Sequence, residues 1–394
     1  MKKLSYKNTV NACFAGYMVQ SVVCNFAPLL FVSWGSEFNI SITQLTALVT
    51  VTFFTQIVVD LLSAKFADKV GYKKCLIAAH VFSGTGFILL GILPYVLSDA
   101  YAAIMFSVIV YSIGSGLLEV LISPVVEACP SDNKAGTMSL LHSFFCWGTV
   151  GVIALSTLFF VLFGRENWRY LSFVWAALAL FNGLNFALVP VIEPQEEKNE
   201  KAGSLFKNKF FYIAILLMIC AGASEQAMSQ WASTFAETGL NVSKTAGDLA
   251  GPMAFAVLMG SGRVIFSRLS AKIKIEYYLI GSAALCIASY LMAALSTSPV
   301  ISLVGCALCG LSVSAMWPGT ISLGTVRIAG SATAMFALLA LAGDLGCTTG
   351  PALIGVVTDF FGGDIKRALL PGIVFPVIII ALLLPDKIKS SLTH

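Results

Sequence analysis

Three carboxyl side chains, Glu119, Glu225 and Asp344, fall inside stretches apolar enough to cross a bilayer. Insertion scales put an acid at the centre of a spanning helix at roughly +2.5 to +3.5 kcal/mol, so each needs a wet cavity, a partner or a bound proton. A carboxyl that is neutral while shielded and ionises when water reaches it can take up and release a proton in each cycle. Proton coupling is therefore the chemistry expected of these three residues, and of Glu119 first. Ser112, Ser115, Gly116, Glu119 and Ser123 recur at i, i+3, i+4, i+7 and i+11, which is one face of a helix turned toward something polar.

A second stripe is made by Gly222, Glu225, Gln226, Ser229, Gln230 and Ser233, with Trp231 beside it. Amides and hydroxyls at helical spacing suit the binding of a small hydroxylated molecule, and a flat indole suits stacking on a ring. The contact candidates are Gln20, Asn25, Ser115, Ser123, Gln226, Gln230, Trp231 and Trp317. Gln20 and Asn25 stand about 140° apart on a helical wheel, so they face different neighbours. Asp60, following Gln56 and Thr52 at i+4 spacing, reads as a gating contact near the cytoplasmic end of its helix, and Arg263 as a base paired with an acid. His80 and His142 read as packing residues. Three carboxyls against one arginine in a low dielectric disfavour an anionic ligand and leave a neutral polyhydroxy compound or a cation.

These residues need helices to hold them. With 394 residues, 58 % apolar and 11 % charged, the chain lies far from soluble domains and reads as an all-α polytopic membrane protein. Apolar windows fall near 9–34, 43–66, 75–97, 101–127, 137–164, 168–191, 211–236, 249–270, 276–295, 299–323, 332–358 and 367–385, which makes twelve transmembrane helices. The first is read as a retained span, because no small-residue cleavage site follows it. The hydrophilic connection at 192–210 divides an N-terminal six-helix half, 1–191, from a C-terminal half, 211–394. Placing both termini and this loop in the cytoplasm leaves only Arg165, Arg169, Lys244, Lys366 and Arg367 outside, as the positive-inside rule asks. The net charge of +4 then needs no nucleic-acid partner.

The halves repeat. Gly116, Leu117 and Pro124 coincide with Gly310, Leu311 and Pro318 at an offset of 194 residues, and Gly148 and Gly151 answer Gly343 and Gly346 at 195. Parallel repeats of this kind build one class of secondary transporter. The ten cysteines all lie in or at the ends of apolar windows, where a free thiol behaves as a small hydrophobe. No metal-ligand cluster, phosphate-binding loop or nucleophile–base constellation is visible, so no cofactor and no enzyme activity are expected.

The connection Ala64-Lys-Phe-Ala-Asp-Lys-Val-Gly-Tyr-Lys-Lys74 resembles the loop signature G-x-L-A-D-x-x-G-R-K of the major facilitator superfamily, with Asp68, Gly71 and Lys73 in place and Ala64 and Tyr72 departing from it. A weaker echo spans Ser267 to Ile273. Gly114 to Pro124 reads Gly-x-Gly-x-x-Glu-x-x-x-x-Pro, similar to the fourth helix of the fucose–galactose–gluconate proton symporter group, fucose permease-like. Gly310 to Gly324 resembles that group's tenth helix. The resemblance implies the major facilitator fold with two six-helix halves, helices one, four, seven and ten around a central cavity, and a gating role for Asp68, Gly71 and Lys73. It also implies that Glu119 is a coupling residue. The group's partner aspartate in the first helix has no counterpart here, where Gln20 and Asn25 are the polar members.

The expectation is a secondary active transporter working by alternating access: proton-coupled import of a neutral sugar or related small polar solute, with Glu119 as proton carrier. Its partners are the solute, protons and the lipid bilayer of a bacterial-type inner or plasma membrane, and the architecture is sufficient as a monomer. The competing expectation is proton-antiport export of cationic or amphipathic compounds, which unpaired acids would suit. The fifth helix lacks the proline of drug exporters, so import leads.

Overall fold

In a computed structural model, residues 5–130, 134–192, 202–269, 273–328 and 332–391 are described. Twelve helices among them are long and apolar enough to cross a membrane: α1 (Tyr6–Phe38), α2 (Ile42–Ser63), α3 (Tyr72–Val96), α4 (Ala100–Ala128), α5 (Leu140–Phe163), α6 (Arg165–Leu188), α7 (Lys209–Gly239), α8 (Lys244–Phe266), α9 (Ile275–Leu295), α10 (Pro299–Gly324), α11 (Leu338–Phe360) and α12 (Ile365–Leu384). The chain is a multi-pass helical membrane protein.

Local chemistry sets several helix starts. Ser41 opens α2 with a capping box: its Oγ accepts from Gln44 N at 3.3 Å, and its N donates to Gln44 Oε1 at 2.9 Å. Asp99 caps α4 and Asn208 caps α7 through bonds to Ala102 N and Phe210 N. Gly71, at φ +93°, turns the chain from α2 into α3, in a region that glycine enters without strain.

Three spans are interrupted in ways the apolar windows do not reveal. α1 tightens over Ala27–Leu30, where Pro28 withdraws a donor. In α7 the helix stops after Ser229, turns through Gln230 and Trp231, and ends in a wide turn over Phe235–Gly239. α10 breaks between Val313 and Met316, two residues before Pro318. By contrast α4 runs unbroken through Pro124. The first window also stops short: the helix continues to Phe38, past the tight turn.

Two compact units, Met1–Glu196 and Glu197–His394, divide the chain. Within the first, α1 packs on α4 and α5, α2 on α4, and α3 on α4 and α6. Within the second, α7 packs on α10 and α11, α8 on α10, and α9 on α10 and α12. Each of these pairings in the first unit recurs six helices later in the second, so the offset in sequence is an offset in structure. The repeated glycines are its instruments. A Cβ at Gly116 would come 2.9 Å from Val59 of α2, and one at Gly310 would run into the carbonyl of Phe255 on α8. Gly148 brings α5 onto Ser21 of α1, and Gly346 brings α11 onto the carbonyl of Ile219 on α7.

The first unit's core gathers Tyr17, Leu76, Leu118, Leu121, Ile122, Val125 and Phe186; the second's gathers Phe211, Met218, Met335 and Leu339. Phe54, Phe106, Phe181 and Phe360 are exposed, as side chains that face acyl chains can be. All ten cysteines are buried thiols outside any disulfide.

Candidate functional site

In the first unit the site grows from two close helix approaches. A Cβ at Gly16 would stand 2.6 Å from Ile122, so α1 lies tight against α4. One turn along this seam, Gln20 Nε2 donates to Glu119 Oε2 at 3.1 Å, and on the other side of it Tyr17 Oη meets Ser123 Oγ at 2.8 Å. Gly116 does the same for α2, leaving Gln56 Nε2 to donate to Ser115 Oγ at 2.6 Å and to reach Cys24 Sγ at 3.7 Å. From Gln56 and Ser115, one further helical turn on each helix leads to Asp60 and Glu119, and their carboxylate oxygens lie within 4.8 Å of each other. Glu119 and Asp60 are half-buried, while Gln20 is only 5 % exposed.

Ser115 and Ser123, expected to face a ligand, are thus committed to Gln56 and Tyr17. Asn25 Nδ2 donates to Ser21 O at 2.9 Å and to Thr149 Oγ1 at 3.2 Å, tying α1 to α5. Gln20 and Asn25 therefore serve different neighbours, as their spacing on the wheel requires. Asp60, placed by sequence at a gate, stands beside Glu119. His80 is a packing residue: it bonds Leu76 O at 2.7 Å and Asn182 Nδ2 at 2.8 Å, and is fully buried. Lys73 Nζ donates to Val189 O at 3.0 Å, linking the turn at Gly71 to the end of α6. The side chain of Asp68 lies outside the described residues.

In the second unit the polar stripe of α7 forms a one-way chain. Gln230 Nε2 donates to Gln226 Oε1 at 2.9 Å, and Gln226 Nε2 donates to Glu225 Oε1 at 3.2 Å. Arg263 of α8 is within electrostatic reach of Glu225. Trp231 is fully buried, its Nε1 bonded to Pro351 O at 3.0 Å, so it presents no free face. Trp317 lies across Gly343 of α11, beside Asp344, which is 4 % exposed and whose backbone carbonyl accepts from Thr348 Oγ1 at 2.9 Å.

One cluster escaped sequence reading. Lys244, taken as an outer loop charge, is buried at the start of α8: its Nζ contacts Asp248 Oδ1 at 2.9 Å and Ser233 Oγ of α7 at 2.8 Å, and Ser233 Oγ donates to Asp248 Oδ1 at 2.5 Å. The i, i+4 spacing of Lys244 and Asp248 was the available signal, hidden because the apolar window was opened at 249.

Twelve spanning helices in two like units, with carboxyls and amides held inside them, are an architecture suited to a membrane transporter. The Major Facilitator Superfamily model matches residues 12–351, and the chain belongs to that superfamily, whose members are transporters rather than enzymes. None of the curated proteins matches it in sequence. Among solved structures it is similar to the E. coli fucose:proton symporter FucP, at 17 % identity over 96 % of this chain and 98 % of that one, with a TM-score of 0.67. It is also similar to a bacterial homolog of the human lysosomal transporter Spinster (14 %, 97 % and 97 %, 0.78) and to a D-xylose–proton symporter (14 %, 96 % and 96 %, 0.77). At such identities the likeness is one of fold.

Proposed function

We propose that this protein is a proton-coupled importer of a neutral sugar or related small polar solute, working by alternating access, with Glu119 as the proton carrier. The observation that carries this reading is the bond from Gln20 to Glu119, which holds an ionisable group within a span among hydroxyls and amides. A carboxyl so placed favours its neutral form while shielded from water and its charged form when wetted, so exposure to one side or the other loads or unloads the proton. Glu225 and Asp344 are secondary coupling residues in this scheme.

Substrate hydroxyls are bound by the α7 chain. A row of amides donating in one direction leaves acceptors and donors at its ends, which matches the alternating donor and acceptor character of a polyol. Trp317 supplies a flat apolar face and Trp231 positions the chain. The printed activities of two structural neighbours, fucose:proton and D-xylose–proton symport, agree with this solute class. The six-helix halves, 1–191 and 211–394, would place the 192–210 loop and both termini in the cytoplasm on the distribution of Lys and Arg. Asp68, Gly71 and Lys73 would gate that side, with Arg263 in the second half.

The test is uptake of a panel of radiolabelled monosaccharides and polyols by proteoliposomes, with and without an inward proton gradient. Gradient-driven accumulation of one of them, lost in Glu119→Gln while exchange persists, is the expected result. Unchanged coupling in Glu119→Gln overturns the role of that residue. Proton release on adding cationic compounds, without sugar uptake, overturns the importer.

A further inference from the structure

We infer that the face of the first unit turned away from Glu119 holds a bound phospholipid: one acyl chain lies in a groove between α2 and α4, its ester carbonyl accepts a hydrogen bond from Ser63, and its anionic headgroup meets Lys69 and Lys74. The site is separate from that of the transported solute. The groove is a cavity of about 190 Å³ lined by Val59, Leu62 and Ser63 of α2, Cys75 of α3, and Ile113 and Leu117 of α4. That is larger than the roughly 150 Å³ apolar cavity that accepts a benzene ring. Its walls are hydrocarbon but for the Ser63 hydroxyl and the Cys75 thiol.

Helix rotation decides where the groove opens. Ile113 and Leu117 stand about 120° and 160° around α4 from Glu119, on the other side of the helix. On α2, Phe54, Val58, Leu61 and Leu62 recur at i, i+4, i+7 and i+8, and all four are exposed, from 38 % at Val58 to 57 % at Phe54. A row of large apolar side chains on the outside of a spanning helix faces acyl chains. Leu62 belongs to both the row and the groove, so the groove opens on the bilayer. α2 and α4 are two spans apart and run toward the same membrane surface, and Gly116 draws them together, its added Cβ falling 2.9 Å from Val59. Ser63 therefore lies nearest that surface, and Val59 and Ile113 lie deepest.

Ser63 supplies the independent evidence. Serines in neighbouring spans settle their hydroxyls on the carbonyl one turn back, as Ser83 does on Ala79 O at 3.0 Å and Ser107 on Ala103 O at 2.8 Å. Ser63 does not: it is 4 % exposed, and its Oγ is buried with no hydrogen-bond partner among the described residues. A buried donor calls for an acceptor. Ser63 is also the last residue of its span, Ile42–Ser63, the depth at which acyl chains give way to the headgroup region. An ester carbonyl there completes the hydroxyl, and its chain continues past Leu117 to Val59 and Ile113. Beyond the span the helix runs on to Val70 and carries Lys69 about 9 Å past Ser63. Lys69 and Lys74 are exposed, whereas Lys73 is committed to Val189 O. Two exposed ammonium groups just beyond the ester suit a phospholipid of net negative charge.

The test uses the full chain purified in detergent. Native mass spectrometry counts the lipids retained as phosphatidylglycerol or phosphatidylcholine with the same chains is added, and a phosphatidylglycerol carrying a diazirine in one acyl chain marks the peptides that chain touches. One phosphatidylglycerol should stay bound where phosphatidylcholine does not, and the diazirine should label the peptides that hold 59–63 and 113–117. Ser63→Ala removes only a hydroxyl and should weaken retention about three- to tenfold, the loss of one hydrogen bond. Lys69→Gln with Lys74→Gln should erase the preference for phosphatidylglycerol. Leu62→Trp, at the exposed rim, should fill the groove and abolish the label on both peptides with unchanged thermal unfolding. Label spread evenly over all twelve spans, as transient boundary lipid would leave it, overturns the site, and so does unchanged retention in Ser63→Ala. Equal retention of the two lipids overturns the anionic headgroup. None of these readouts depends on which solute the protein carries.

Discussion

In Met1–Glu196 the Glu119 carboxyl on α4 is met by side chains from two other helices, Gln20 of α1 and Asp60 of α2, whereas in Glu197–His394 the Glu225 carboxyl takes a hydrogen bond from Gln226 of its own helix, itself bonded to Gln230, and feels the charge of Arg263 on α8. A group whose close partners ride on other helices changes its surroundings when those helices shift. One hydrogen-bonded by its own neighbours carries those bonds along. The first arrangement suits a proton that must be taken up in one state and given up in another, and the second suits a row of donors and acceptors presented unchanged to a solute.

The sharpest challenge to this contrast is the buried ionic cluster of the second unit, Ser233 of α7 with Lys244 and Asp248 of α8. The side chains of Lys244 and Asp248 are 8 % and 1 % exposed. If it only pins α7 to α8, Lys244→Met should destabilise the protein by about 3 to 5 kcal/mol, because it strands a buried carboxylate. Adding Asp248→Leu should restore most of the loss. Thermal unfolding in detergent measures both; a single variant as stable as wild type would show that the cluster is not the clamp its geometry implies.

Next in size is the division of labour itself. Glu119→Gln should abolish gradient-driven accumulation. Glu225→Gln keeps an acceptor but loses the charge, and charge-assisted bonds are about twice as strong as neutral ones, so the half-saturation concentration for the solute should rise roughly tenfold while the accumulation ratio, set mainly by Glu119, falls far less than in Glu119→Gln. Were the two variants to behave alike, the contrast between the units would have no functional content.

A smaller effect tests whether close approach assembles the sites. Gly116→Ala and Gly310→Ala should each cost about 1 to 3 kcal/mol by overpacking. Gly310 should be the costlier of the two, because its added methyl meets the backbone carbonyl of Phe255, while that of Gly116 meets the side chain of Val59. Only Gly116→Ala should also weaken proton coupling, since it moves α2 and with it Asp60.

The same contrast decides what the sequence could reveal. Twelve spans, the repeat and the α7 stripe follow from hydrophobicity and a period of 3.6 residues, which are local quantities. Glu119 was visible as a cost. Its partners were not: Gln20 to Glu119 joins residues 99 apart, and nothing in either window states that Gly16 and Gly116 close the gaps between helices. The neighbour of Asp60 was hidden for the same reason: its depth along the helix could be read, its rotation toward α4 could not. The break in α7 was likewise illegible, because at Gln230–Trp231 no glycine or proline interrupts the run, whereas that in α10 had a signal in Pro318, whose ring crowds the carbonyl of Ser314, but the same signal at Pro124 leaves α4 unbroken. In α1 a proline was present, at Pro28, and its consequence was local.

The least effect is expected at Tyr17, and it isolates what the α1–α4 seam does. Tyr17→Phe removes the 2.8 Å bond to Ser123 Oγ and nothing of the ring, which keeps its tilted contact with His142. A single neutral hydrogen bond is worth about 0.5 to 1.5 kcal/mol, and the half-buried Ser123 can turn to water, so the low end applies. Tyr17 lies one turn from Gln20 on the same face, so the variant loosens the seam without touching Glu119. Accumulation should stay near wild type and the melting temperature should fall only slightly. If coupling collapses as it does in Glu119→Gln, then the tightness of α1 against α4 governs proton handling, and the contrast between the two units belongs to helix packing rather than to the particular side chains that meet Glu119.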